Sequence, residues 1–430
     1  MSGIYFYDDA AARAFEPFAL TRPASELLAG AVLQRERWAH ALRLPALGML
    51  GPPHLADFDE RAAVHAAAGR IPAGSVIVNA RFVPRLTSLP RAEEGPVDLW
   101  LSAGRAVAVR LSRELPVEHF ASGRLTLDEV ARSGVEAGML EGWWLEHVWD
   151  LVRLLPAQLA DDLAYLARLP EPGRPALSSA PGAFAPVPPH ASVLGTHPVL
   201  LAADAVGVGE RVIPGAVIEP HVVLDATAGP ILIGAGSTVH AFTRLEGPCY
   251  VGRETSIVGD RIAGCAIGDQ CRVRGEMSSS IMLGYANKGH HGFVGHSYLG
   301  RWVNLGAGTI TSNLKNTYGP VSLWTPDGMR DTGMQFLGTF FGDHCKTAIG
   351  TRLTTGTVLG AGCNVFGSAM PPKVVPPFLW GDTASGSIFE LTKFLEVAER
   401  VMARRQVELS ETERRQLAQA HASRWAVERG

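Results

Sequence analysis

Residues 233–257 read IGAGSTVHAFTRLEGPCYVGRETSI, and their spacing decides the fold. Ile233, Val239, Leu245, Val251 and Ile257 stand six apart without a break. A second register runs Phe341, Thr347, Leu353, Leu359 and Val365, with Thr347 its one polar member. Shorter runs precede and separate them: Val206, Val212, Ile218 and Leu224, then Ile267 and Val273. Glycine often follows the aliphatic residue, as at Gly234, Gly252, Gly268, Gly306 and Gly360. A period of six matches neither a helix near 3.6 nor a strand near 2. It matches a parallel β-helix of hexapeptides, in which each short strand turns one aliphatic side chain inward before a corner. Glycine at the corner accepts backbone angles that other residues resist.

Working outward, the β-helix is expected over about 190–382. Its register breaks at 275–293 and 312–340, and each break predicts a loop leaving the coil, of the kind that often carries function. Residues 1–168 read as an α/β domain, with Val76-Ile77-Val78-Asn79 as a short buried strand. Residues 169–189 hold seven prolines and read as a linker. The tail, 383–430, is helical: Phe389, Leu391, Phe394, Leu395, Ala398 and Val401 form one apolar stripe. Ser410-Glu411-Thr412-Glu413 is a capping box opening a last helix. The tail is expected to cap the open end of the solenoid.

Composition narrows the function. The chain has 430 residues, 47% hydrophobic, with a net charge of −3, so no basic field favours nucleic acid. No apolar stretch approaches the ~18 residues of a membrane span. The N-terminus lacks a signal-peptide layout, and a cytoplasmic location is expected. Five cysteines, odd in number and without a close CxxC pair, predict reduced core thiols and no metal site.

The chemistry-bearing stretch is Asn287-Lys288-Gly289-His290-His291-Gly292-Phe293-Val294-Gly295-His296, three histidines in seven residues beside a register break. Downstream stand Asn304, Ala307, Asn313 and Lys315. A histidine that titrates near neutrality can take a proton from an amine or hydroxyl attacking a thioester. Asparagine amides offer paired donor and acceptor to sugar hydroxyls, and Lys315 offers a point charge to phosphate.

Gly289-His290, Phe293-Val294-Gly295 and Val303-Asn304-Leu305-Gly306-Ala307-Gly308-Thr309-Ile310-Thr311-Ser312-Asn313 resemble a known family. It is the acetyltransferase half of the bifunctional bacterial N-acetylglucosamine-1-phosphate uridylyltransferase/glucosamine-1-phosphate acetyltransferase. A sugar nucleotidyltransferase branch of that family is similar over nearly the whole chain. It shares an opening like Tyr7-Asp8-Asp9 and Pro17-Phe18-Ala19-Leu20-Thr21-Arg22-Pro23, and a later stretch like Lys346-Thr347-Ala348-Ile349 and Pro371-Pro372-Lys373. The resemblance implies a nucleotidyltransferase-like, Rossmann-like N-terminal domain, a left-handed parallel β-helix and a C-terminal helical tail. It implies that His290 is the general base, that Phe293, Asn304 and Asn313 contact the sugar or acyl group, and that Ala307 lines the acetyl-CoA groove. It also implies a homotrimer with acyl-CoA lying between subunits.

Several positions depart from that family. A phosphate-binding lysine is Ser278 here, the sugar-site tyrosine is Phe293, and the tyrosine after the second asparagine is Leu314. In the N-terminal domain no Gly-rich phosphate loop precedes Phe15, a catalytic lysine is Ala24, and a metal-binding aspartate is Asn79. Arg22 remains as a candidate phosphate contact.

The leading expectation is acyl transfer from acetyl-CoA to a phosphate- or nucleotide-linked sugar, with Lys346 or Lys373 meeting the CoA phosphates by charge. The alternatives are a sugar-1-phosphate nucleotidylyltransferase using the β-helix as a trimerisation platform, with Mg2+ needed only if the first domain is active, and a non-catalytic sugar-nucleotide-binding scaffold.

Overall fold

The computed structural model describes residues 2–426 apart from 61–62, 90–96, 132–133, 135, 169–174, 207–211 and 383–384. The hexapeptide register becomes a three-faced parallel β-helix. One face stacks strands from Val199–Ala202 to Val374–Val375, with the short Phe184–Ala185 antiparallel at its start. That strand lies within 169–189, so part of the stretch read as linker pairs with the coil; residues 169–174 of it lie outside the described residues. The second face runs from Val217–Ile218 to Leu379–Gly381. The third runs from Ser192–Gly195 to Val294–Gly295 and continues as Ile310–Thr311 and Arg352–Leu353.

The aliphatic register lines the interior. Ile233, Val239, Leu245, Val251 and Ile257 are fully buried in one cluster. Burying one such side chain is worth about 1.5–3 kcal/mol, so the ladder stabilises the solenoid coil by coil. Thr347, the polar member, is buried too, and its Oγ1 lies 2.8 Å from Thr309 Oγ1. All five cysteines are buried free thiols, with Cys345 and Cys363 sulfurs 3.4 Å apart on successive coils.

Of the two register breaks, only 312–340 leaves the coil. It carries an antiparallel hairpin, Ser322–Thr325 with Gly328–Asp331. Through 275–293 the coil is continuous: Met277–Ser278, Ile281–Met282 and Asn287–Lys288 are all rungs. Partner spacing shows the cause. Ile231 pairs with Cys249, eighteen on, but Ala266 pairs with Ile281, only fifteen on. Shortened corners, not an excursion, break the period there.

The N-terminal domain has a mixed sheet in which Ile4–Tyr7 lies between parallel neighbours Ala46–Leu50 and Val76–Asn79. Arg105–Arg110 joins antiparallel, followed by Leu99–Ser102 and Ala137–Met139. The domain is packed on the first face of the solenoid. Phe18, Leu27, Leu28, Leu155 and Leu159 share one buried cluster with the outward-facing Leu232, Tyr250, Tyr298 and Phe340. Tyr298 Oη accepts from Leu28 N–H at 2.9 Å, and its ring lies 4.6 Å from that of Phe18.

The tail forms helices Leu391–Ala403 and Glu411–Ala422, the second opened by the expected Ser410/Glu413 capping box. The tail's strand Ser387–Ile388 pairs antiparallel with Leu379–Gly381, the last rung of the second face, and so covers that edge, whereas the two helices run elsewhere. They lie along the corner between the first and second faces, where Phe394, Ala398 and Met402 meet Trp302, Ala361 and Phe378. They also reach the first domain, with Gln416 donating to Thr21 O and Gln419 to Asp57. The apolar stripe therefore clasps two domains. Among the described residues no helix is long and apolar enough to cross a membrane.

Candidate functional site

The histidine cluster sits at the corner where the second face turns into the third. One rung before it, Lys288 takes the inward position that Val273 holds on the preceding coil. A lysine at 2% exposure inside a β-helix must spend its donors on backbone. Nζ donates to Arg274 O at 2.7 Å and to His290 O at 2.9 Å. Burial pushes its ammonium down to about 8. These bonds tie down the backbone at His290 while its side chain stays exposed. His291 Nδ1 stands 3.7 Å from Asp260 Oδ2.

Glycine makes this corner tight. Gly275, Gly292, Gly308 and Gly350 have φ of +91°, +130°, +74° and +69°. Gly308 N–H donates to His291 O and Gly350 N–H to Ala307 O, which ties successive coils together. At Gly292 a Cβ would stand 2.1 Å from Thr309 O, so no other residue fits. Ala307 thus lies on the coil directly following the histidines, partly exposed.

Across the third face the side chains converge. A Cβ on Gly295 would lie 2.4 Å from Phe293 Cζ and 2.7 Å from Asn313 Nδ2; the ring and the amide are neighbours over that glycine. The Asn313 amide is hydrogen-bonded to His296 Nδ1 at 2.9 Å. His296 stacks on Phe336 of the inserted loop, centroids 5.4 Å apart, and burial lowers its pKa. Asn304 lies one coil beyond Asn287 on the second face, exposed, and accepts from Asn287 Nδ2 at 2.7 Å.

The expected cations separate. Lys315 Nζ donates to Pro320 O. Lys373 is pushed down first by burial and then by the charge of Lys315, so two ammonium groups share one region. Lys346 does not suit a phosphate contact: its Nζ donates to His344 O at 3.1 Å, and burial pushes it down to about 8. Arg22 does not suit one either. It is buried between Glu60 (2.6 Å) and Asp343 (2.9 Å), at the junction of the first domain with the solenoid.

The first domain's strand ends are closed in the same way. Asp9 accepts from Arg81 Nε at 2.8 Å and Nη2 at 2.7 Å, and from Asn79 Nδ2 at 2.9 Å. Ala24 N–H donates to the buried Asp8. With the Asp9 carboxylate neutralised and Asn79 committed, this donor set does not fit Mg2+. A cavity of about 340 Å3 in this domain is lined by Arg110, Arg113, His119 and Glu129. It lies beside Arg110, which pairs with Val76, the first residue of its strand. That is the end opposite to where α/β sheets bind ligands.

The sequence reading did not assign roles to His296, Lys288 or Phe336. Lys288 had no signal in the six-residue spacing, because it stands fifteen residues after its partner Val273, inside a register break. Phe336 had none, because a forty-residue separation hides its contact with His296.

Residues 4–169 match the family model described as sugar nucleotidyl transferase. The chain is 28% identical over 95 residues to a bifunctional sugar-1-phosphate nucleotidylyltransferase/acetyltransferase of Sulfurisphaera tokodaii, covering 22% of this chain and 24% of that protein. It is 35% identical over 116 residues to the bifunctional protein GlmU of Prochlorococcus marinus, covering 26% and 22%. It is 26% identical over 146 residues to the uncharacterized acetyltransferase YaiX of Escherichia coli O6:K15:H31, covering 33% and 64%. The matches thus span between about a fifth and just under two thirds of these relatives' lengths.

Proposed function

We propose that this chain, a sugar nucleotidyl transferase-like domain packed on a hexapeptide β-helix, is an acyltransferase that moves an acyl group from acyl-CoA to a sugar. One observation carries the reading: His290, exposed on a corner tied by Lys288, borders a face where Phe293, Asn313 and His296 converge. In this reading His290 takes the proton from the attacking amine or hydroxyl as the new C–N or C–O bond forms at the thioester carbonyl. The C–S bond then breaks and the CoA thiolate takes that proton back from His290, leaving as the thiol. Corner backbone N–H groups stabilise the oxyanion. Asn313 and Asn304 meet sugar hydroxyls, Phe293 the ring, and Ala307 the acyl-CoA groove. Lys315 and Lys373 suit the CoA phosphates as a pair of like charges.

Acetyl-CoA as donor, a phosphate- or nucleotide-linked sugar as acceptor, and a homotrimer with the donor between subunits all belong to this proposal. The relatives named as acetyltransferases support it. Among the described residues of the first domain, Arg81 occupies Asp9 and Arg22 is neutralised, which disfavours nucleotidyl transfer there. The first domain instead serves as a packing partner for the solenoid.

The test is release of free thiol from acetyl-CoA against a panel of amino sugars. His290→Ala is expected to lower kcat by about 100-fold or more, the range of a general base, with acetyl-CoA binding unchanged. Full turnover in that variant removes the proposed role.

A further inference from the structure

The third face carries an open groove of about 590 Å3 beside the histidine corner. Its lining includes the aromatic rings of Phe242 and Phe293 and the glycines Gly275 and Gly292. Phe242 is 77% exposed, and His221 stacks on it in parallel at 5.4 Å and 6°. An aromatic ring left this open in a groove also lined by glycines resembles a ligand platform more than core packing.

The charges in the groove are paired. Arg244 bonds to Asp225 and, at 2.7 Å, to Glu246. Arg261 bonds to Glu246 at 2.6 Å and to Glu276 at 3.2 Å. Asp260 faces Arg274 at 3.6 Å and His291 at 3.7 Å. Each guanidinium in this ladder already faces a carboxylate, so none offers the uncommitted fork that phosphate recognition uses. Asp260 and Glu276 line the groove within these pairs, and an ionised carboxylate has lone pairs for a hydroxyl or ammonium beyond one guanidinium contact.

We infer that this groove binds an uncharged or amine-bearing sugar ring, its apolar face on Phe242 and its polar edge toward Asp260 and Glu276. Any phosphate on the acceptor lies outside the groove. The inference rests on the acyl-transfer reading for its purpose, but it concerns binding and is tested by binding.

The experiment titrates the full chain with glucosamine and with glucosamine 1-phosphate, by calorimetry or saturation-transfer NMR. Wild-type protein is expected to bind the two within about threefold. Phe242→Ala is expected to weaken glucosamine binding about tenfold, equivalent to about 1.4 kcal/mol. Glu276→Gln, which takes one carboxylate from Arg261 and from the polar edge of the groove, is expected to weaken glucosamine binding and to strengthen binding of the phosphorylated sugar relative to it by about fivefold. A tenfold wild-type preference for the phosphorylated sugar overturns the inference, and so does glucosamine binding that is indifferent to Phe242→Ala. Thiol release from acetyl-CoA is scored separately. Turnover without dependence on Phe242 removes the groove and leaves acyl transfer standing. Phe242-dependent binding without thiol release removes acyl transfer and leaves the groove standing.

Discussion

A single buried carboxylate shows how position sets chemistry. Asp8 follows the first strand and is enclosed; burial pushes its pKa up to about 7, and Oδ1 has no hydrogen-bond partner among the described residues. Glu16 is likewise pushed up to about 7 by burial. A carboxyl whose folded pKa lies above its unfolded value holds extra protons in the folded state. Stability contributed by these two groups therefore falls as pH rises from about 4 to 7 and stays low above that. Asp8→Asn, which carries no charge to bury, is expected to stabilise the protein by about 1–3 kcal/mol at pH 8 and by little at pH 5. Thermal melts at both pH values read the difference, and an equal effect at both would contradict the assignment. His290 and Phe242 are legible from sequence only as residue types. Their exposure, which gives each its proposed role, comes from the corner geometry.

At the scale of elements, helix and loop are joined by buried ions as much as by apolar faces. Helix Leu155–Leu166 carries Asp162, which receives Arg37 of helix Gln34–Leu42 through both oxygens at 2.7 Å and also Ala31 N–H at 2.8 Å. Both side chains are wholly buried. Removing one partner leaves an uncompensated buried charge. Asp162→Ala is thus expected to cost about 3–5 kcal/mol in denaturant unfolding. A loss below about 1 kcal/mol would mean that Arg37 finds water or another acceptor. The rungs of the solenoid were readable because each repeats one inward aliphatic residue. The break at 275–293 was misread as a loop because shortened corners and an excursion disturb the period alike. Lys288 lies inside that break, and its inward ammonium was visible only once the rungs were paired.

For the whole molecule, the decisive contact is between domains. Arg22, Glu60 and Asp343 join the first domain to the solenoid, with Arg301 also on Glu60 at 3.1 Å. Around them Phe18, Tyr298 and Phe340 bury a continuous apolar surface, and the tail clasps the edge. The full chain is expected to unfold in one cooperative transition. Residues 184–430 produced alone would expose Leu232, Tyr250, Tyr298 and Phe340, so they are expected to bind an apolar dye or aggregate. A soluble, dye-silent solenoid fragment would show that the first domain is dispensable to it.

The six-residue period by itself determined the β-helix, because inward aliphatic burial repeats locally along the chain and needs no distant partner. The histidine-rich stretch and the capping box were legible for the same reason, each being a short contiguous pattern. Only the tertiary structure decided that Arg22 and Lys346 are spent internally, that the tail clasps an edge, and that an aromatic groove adjoins His290. Those outcomes depend on residues tens to hundreds of positions apart, and their burial and pairing are properties of packing that no local spacing encodes.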